Sequence, residues 1–132
     1  MKKLFTVITI IILIIGILYS CKTSKKMTAN EKNKYQKVTV GDTISISLKE
    51  NHSTGFHWEW KFLEGDKNLK FIGTKSENTV PDSLINRGYV GYPIIKTFIF
   101  KAIKKGKTTI AFKYIRFNGN VAKRDTFYYV IK

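Results

Sequence analysis

The chain has 132 residues, a formal net charge of +15, and 43% hydrophobic and 14% aromatic residues. That length suits one domain rather than two. Nine scattered acidic residues and a single cysteine offer no paired carboxylates, no Ser/His/Asp constellation and no internal disulfide, which argues against an enzyme and against a disulfide-stapled scaffold.

In chain order, Lys2 and Lys3 precede an apolar run from Leu4 to Leu18. The run is shorter than the ~20 residues of an ordinary membrane-spanning helix, and it reads as the hydrophobic region of a secretion signal. It ends in Leu18-Tyr19-Ser20-Cys21, which resembles the lipobox of bacterial lipoproteins, although Tyr19 is bulkier than usual there. The resemblance implies a signal peptide over residues 1–20, acylation of Cys21 as the new N-terminus, and an exported lipoprotein anchored in the membrane through that lipid. Acylation also accounts for a lone thiol in an exported chain, and it leaves no cysteine nucleophile. Lys22 stands where an aspartate often retains lipoproteins at an inner membrane, which points to the outer membrane, at the periplasmic face or the cell surface.

Loss of Lys2 and Lys3 with the signal lowers the charge from +15 to +13. The remaining lysines fall on alternating strand positions, as on a solvated face, so nucleic acid is not an expected partner. Residues 21–34 are polar and read as a flexible tether between lipid and domain. The folded domain is expected over 35–132.

From there the period is two, the signature of strands. Val38 and Val40 alternate with polar residues before a turn at Gly41-Asp42. Ile44, Ile46 and Leu48 follow, and then Phe56, Trp58, Trp60 and Phe62 alternate with His57, Glu59 and Lys61. Leu69 to Thr74 is a weaker strand. Thr97–Ile103 and Thr108–Tyr114 flank Lys104-Lys105-Gly106-Lys107, which reads as a hairpin turn with Gly106 at positive φ. Phe127, Tyr129 and Ile131 alternate in the last strand. No window sustains a helical period. The fold class is therefore all-β, an immunoglobulin-like antiparallel β-sandwich of about seven strands.

Three connections are dense in Gly, Pro, Asn or Ser: Glu50–Gly55, Lys75–Lys96 and Ile115–Arg124. They are the second-to-third, fourth-to-fifth and sixth-to-seventh connections. Strands that run alternately up and down place all three at one end, a common way to build a recognition edge. His52 and His57 have no evident third ligand, so no metal and no cofactor is expected.

The first of these loops, Asn51-His52-Ser53-Thr54-Gly55-Phe56 followed by Trp58, resembles the signature of the chagasin family of papain-like cysteine protease inhibitors. That family carries Asn-Pro-Thr-Thr-Gly and an aromatic, with Trp two places on. His52 stands for the Pro, and Ser53 for the first Thr. The family's Gly-x-Gly-Gly loop aligns with Gly91-Tyr92-Pro93-Ile94, where only Gly91 keeps its glycine. Its Arg-Pro-Trp loop aligns with Arg116-Phe117-Asn118, which keeps the Arg.

The resemblance covers Val38 to Lys132. It implies a monomeric, reversible, non-catalytic inhibitor whose three loops occlude a protease cleft. Asn51, His52, Ser53, Thr54, Gly55 and Phe56 would form the first contact, with Ser53 and Thr54 over the catalytic centre. Gly91, Tyr92 and Pro93 would meet one wall, and Arg116, Phe117 and Asn118 the other. The departures at His52, Pro93, Ile94 and Asn118 imply a shifted target range or affinity. A second reading is a lipid-anchored immunoglobulin-like binding or adhesion module whose loops serve a different protein partner.

Overall fold

The computed structural model describes residues 35–132 and, for the main chain alone, Ser24–Met27. The expected signal over 1–20, Cys21 and most of the expected tether over 21–34 lie outside the described residues. The described strands are β1 (Ser24–Met27), β2 (Gln36–Val38), β3 (Thr43–Glu50), β4 (Phe56–Glu64), β5 (Leu69–Asn78), β6 (Ile94–Ala102), β7 (Gly106–Arg116) and β8 (Val121–Ile131). They form two four-stranded sheets, ordered β1-β3-β6-β5 and β2-β8-β7-β4. Strands β2 to β8 correspond one for one to the seven read from the alternation.

Alternation makes these strands because successive side chains leave opposite faces of the pleat. In β3, Ile44, Ile46 and Leu48 point inward while Thr43, Ser45 and Ser47 stay half-exposed. Facing them from the other sheet are Trp58 of β4, Ile110 and Phe112 of β7, and Phe127, Tyr129 and Ile131 of β8. Rings fill the interior edge to face. Phe112 meets Phe98 at 5.0 Å and Phe127 at 5.6 Å, and Trp60 meets Phe100 at 4.9 Å. Such pairs add about 0.5–1.5 kcal/mol each beyond the area they bury.

Pairing is antiparallel for β3 with β6, β5 with β6, β4 with β7 and β7 with β8. The two N-terminal strands join parallel, β1 along β3 and β2 along β8.

Two local expectations are corrected. The Lys104–Lys107 turn is not a hairpin, because β6 and β7 belong to different sheets. Asn68 turns the chain across: its carbonyl accepts the N–H groups of Ile103 and Lys104, and its side-chain amide donates to the Lys107 carbonyl. Gly106 does take a positive φ, +147°, where a Cβ would strike the Asn68 amide. The second correction is that β5 continues past Thr74 to Asn78. A bulge between Phe71 and Gly73 shifts the inward register, which hides the strand from a strict period of two.

Candidate functional site

The connections β3–β4, β5–β6 and β7–β8 meet at one end of the sandwich. The first is short and tightly bonded. Asn51 is extended (φ −128°, ψ 102°) and caps a single 3-10 turn, His52–Thr54. Its side-chain oxygen accepts from the Ser53 amide at 3.1 Å and the Ser53 hydroxyl at 2.7 Å. The Thr54 hydroxyl donates to the Asn51 carbonyl at 2.6 Å, and the Gly55 amide donates to the His52 carbonyl at 3.0 Å. Gly55 closes the turn at φ +73°, a left-handed conformation that suits glycine. Asn, Ser and Thr hold such turns by bonding their own backbone, which is why this short segment needs no apolar core of its own.

Asn51 also joins this loop to its neighbours. Its side-chain nitrogen donates to the Gly91 carbonyl at 3.1 Å, and its backbone amide donates to the Tyr114 hydroxyl at 2.9 Å. Gly91 lies at φ +79°, close beside Ser53. The expected second loop is narrower than Lys75–Lys96, running between the end of β5 at Asn78 and the start of β6 at Ile94, with one helical turn at Asp82–Ile85. Its base is closed by the Thr79 hydroxyl on the Pro93 carbonyl, and Tyr92 stacks on Tyr89 with centroids 6.2 Å apart.

The third connection shrinks to the four residues between Arg116 and Val121, because β7 and β8 both extend further than the alternation indicated. Arg116 is thus a strand-end residue paired with Phe56, and its guanidinium lies 4.6 Å from the Phe56 ring centre. The Asn118 side chain accepts from the Asn120 amide at 3.1 Å, so it shapes the turn. Phe117 is 87% exposed yet stacked on His57 at 5.0 Å.

All twelve residues singled out from sequence lie on these loops or the strand ends that carry them. Four neighbours were missed. Tyr114 supports Asn51, and His57 braces Phe117. Val90, 81% exposed beside Gly91, enlarges the apolar rim. The fourth is Glu50, wholly buried, whose carboxylate accepts the Trp58 amide at 2.9 Å and pairs with Lys96 at 3.3 Å and His52 at 3.0 Å. Its signal was parity: Glu50 sits on the inward register of Ile44, Ile46 and Leu48, where a charge needs built-in partners. Among the described residues no three His, Cys, Asp or Glu side chains gather to hold a metal.

A stiff sandwich that offers three loops at one end, the first bonded to the second and to the strand that leads into the third, is a scaffold for recognising another protein surface. The chain belongs to the chagasin family: the model described as chagasin family peptidase inhibitor I42 matches residues 37–131. Amoebiasin-2 from Entamoeba histolytica is 30% identical over 90 residues, 68% of each chain. The crystal structure of the cysteine protease inhibitor EhICP2 from Entamoeba histolytica superposes with a TM-score of 0.67 at 25% identity, covering 83% of this chain and 96% of that one. PbICP-C, solved in complex with falcipain-2, shares the fold with a TM-score of 0.53 at 20% identity, over 83% of this chain and 99% of its own. The chain is therefore of a protease-inhibitor family and is not an enzyme.

Proposed function

We propose that this chain is a reversible inhibitor of papain-like cysteine proteases that closes the target's cleft with its three loops. The observation that carries the reading is the bonding of Asn51, which fixes its own turn and ties it to Gly91 and Tyr114 at once. A loop already ordered loses little entropy on binding. Its 3-10 turn also differs from the extended strand a protease cleaves, so the loop can occupy the cleft without serving as substrate.

Ser53 and Thr54 lie over the catalytic centre in this reading. Gly91 and Tyr92, with Val90 beside them, meet one wall. Arg116 and Phe117 meet the other, with Asn118 holding the turn between them. Tyr92 and Phe117 supply stiff aromatic area of the kind that dominates binding energy. Family membership and the likeness to EhICP2 support the target class. A single copy suffices for such a wedge, so the inhibitor acts as a monomer.

The test is titration of the full chain, in mild non-ionic detergent, against papain, a cathepsin-like enzyme and a serine protease. Tight, reversible inhibition of the two cysteine proteases alone, with the chain left uncut, is expected. A folded chain that inhibits neither would overturn the reading in favour of a binding module with another partner.

We also propose that the protein is exported and held at a membrane by lipid on Cys21, from the Leu18–Cys21 sequence and the apolar run before it. Mass spectrometry of the N-terminal peptide from membranes checks this: an acylated Cys21 is expected, and an intact Met1 with unmodified Cys21 would refute it.

A further inference from the structure

We propose that Glu50 and His52 form a latch that positions the Asn51–Gly55 loop, with the charge on the His52 imidazole setting how tightly the loop is held. The consequence for inhibition rests on the proposed function, whereas the latch itself belongs to the free protein. Glu50 is the last residue of β3 and is fully buried. One carboxylate oxygen accepts the Trp58 amide at 2.9 Å, fixing the start of β4. The other takes the Lys96 ammonium of β6 at 3.3 Å and lies 3.0 Å from His52 Nε2. A single buried carboxylate therefore joins both strands that flank the loop, a neighbouring strand and the loop's first helical residue. Buried, it has no bulk water to replace a lost donor, so from its side each partner matters.

From the His52 side the link is adjustable. The imidazole is 64% exposed, so solvent reaches it. Imidazoles change charge between about pH 5 and 8. Neutral, the ring can donate an N–H to the Glu50 carboxylate, whose charge already assists the bond; charged, it adds Coulomb attraction at the same contact. Two cations stand on the strands beside the loop. Lys96 shares the same carboxylate oxygen, and Arg116 of β7 lies across the loop over Phe56. Both oppose part of the gain and leave a net benefit of modest size. The direction is a loop held more tightly as pH falls through the imidazole range.

The backbone shows how the latch can be bypassed. His52 opens the 3-10 turn after an extended Asn51. The first position of a helical turn accepts proline, and the residue before proline favours the extended region. A pyrrolidine ring at this position restrains the turn covalently and carries no charge. It would hold the loop at every pH.

The experiment measures amide hydrogen exchange of Ser53, Thr54 and Gly55, corrected for intrinsic rates, in the full chain in mild detergent from about pH 5 to 8. Papain inhibition is followed over the same range. Wild-type protection is expected to be about two- to fivefold higher at the acid end. H52Q is expected to be flat at the lower level, and H52P flat at the higher one. Inhibition constants should follow the same order. A wild-type loop without the slope, a slope of opposite sign, or a slope kept by H52Q would overturn the latch. Because the His52 side chain is largely exposed, H52Q tests the idea even if E50Q fails to fold. A slope lost in H52Q without papain inhibition at any pH would sink the inhibitor reading and leave the latch standing. Tight inhibition without the slope would do the reverse.

Discussion

At the scale of single residues, two glycines with similar φ differ in what a side chain would meet. At Gly65 (φ +66°), between β4 and β5, a Cβ would lie 2.0 Å from the Lys107 carbonyl oxygen at the start of β7. At Gly55 (φ +73°) the nearest atom would be Arg116 Cγ at 3.8 Å, an ordinary contact. Gly55→Ala should therefore lose only the left-handed penalty, about 1 kcal/mol, while Gly65→Ala must also move backbone and should lose about 3 kcal/mol. Urea unfolding of the two variants checks the order. Asn51→Ala removes the side-chain bonds to Ser53 and Gly91 but leaves the core untouched. Inhibition of papain is expected to weaken about fivefold to thirtyfold, from about one to two kcal/mol of lost loop order. A folded N51A that inhibits as tightly as wild type would count against a preformed loop. The sequence exposed Asn51 and Gly55 because turn chemistry is local. It did not expose Gly65, whose demand comes from a carbonyl 42 residues along the chain (107 less 65).

At the scale of elements, β7 carries the most consequential side chain. It is an inner strand between β8 and β4, and Phe112 at its middle is fully buried, edge-on to Phe98 and Phe127. Phe112→Ala should lower the unfolding free energy by about 3–5 kcal/mol, read as a drop in urea midpoint with little change in slope. Where a strand alternates cleanly, as β3 and β4 do, the sequence showed it. β5 was only half legible because its bulge breaks parity at Phe71–Gly73 and because it is an edge strand. Lys70, Lys75 and Glu77 lie exposed along that edge, and such charges discourage pairing with another chain. The β7–β8 turn was read as longer than it is. Val121 to Arg124 are mostly exposed, so their place in a strand depends on pairing with β7 rather than on any apolar pattern.

At the scale of the whole molecule, closure of the two sheets puts a phenol in the core. Burial of Tyr129 disfavours its ionised form and pushes its pKa well above the usual range. In the unfolded chain the same phenol ionises near pH 10. Between those values the folded state keeps a proton that the unfolded state gives up. Stability is unaffected below about pH 10 and falls above it, by up to about 1.4 kcal/mol per pH unit from this group. Urea midpoints measured from about pH 9 to 11.5 should decline, and Tyr129→Phe should decline less steeply. Equal slopes would mean that Tyr129 is not the group responsible.

Periodicity, turn residues and the Asn51–Trp58 signature are properties of neighbouring positions, so the sequence by itself determined the all-β class, the seven strands of the domain and the family resemblance. Pairing across space is not written in any short window. Only the tertiary structure decided that β6 and β7 lie in different sheets, that Arg116 ends a strand with its guanidinium over Phe56, and that His57 braces Phe117. It alone brought Tyr114 to Asn51 across 63 positions and Lys96 to Glu50 across 46. Those contacts exist because two sheets must stack their apolar faces. The stacking fixes which strand ends meet, and so which polar groups are left to satisfy one another beneath the loops.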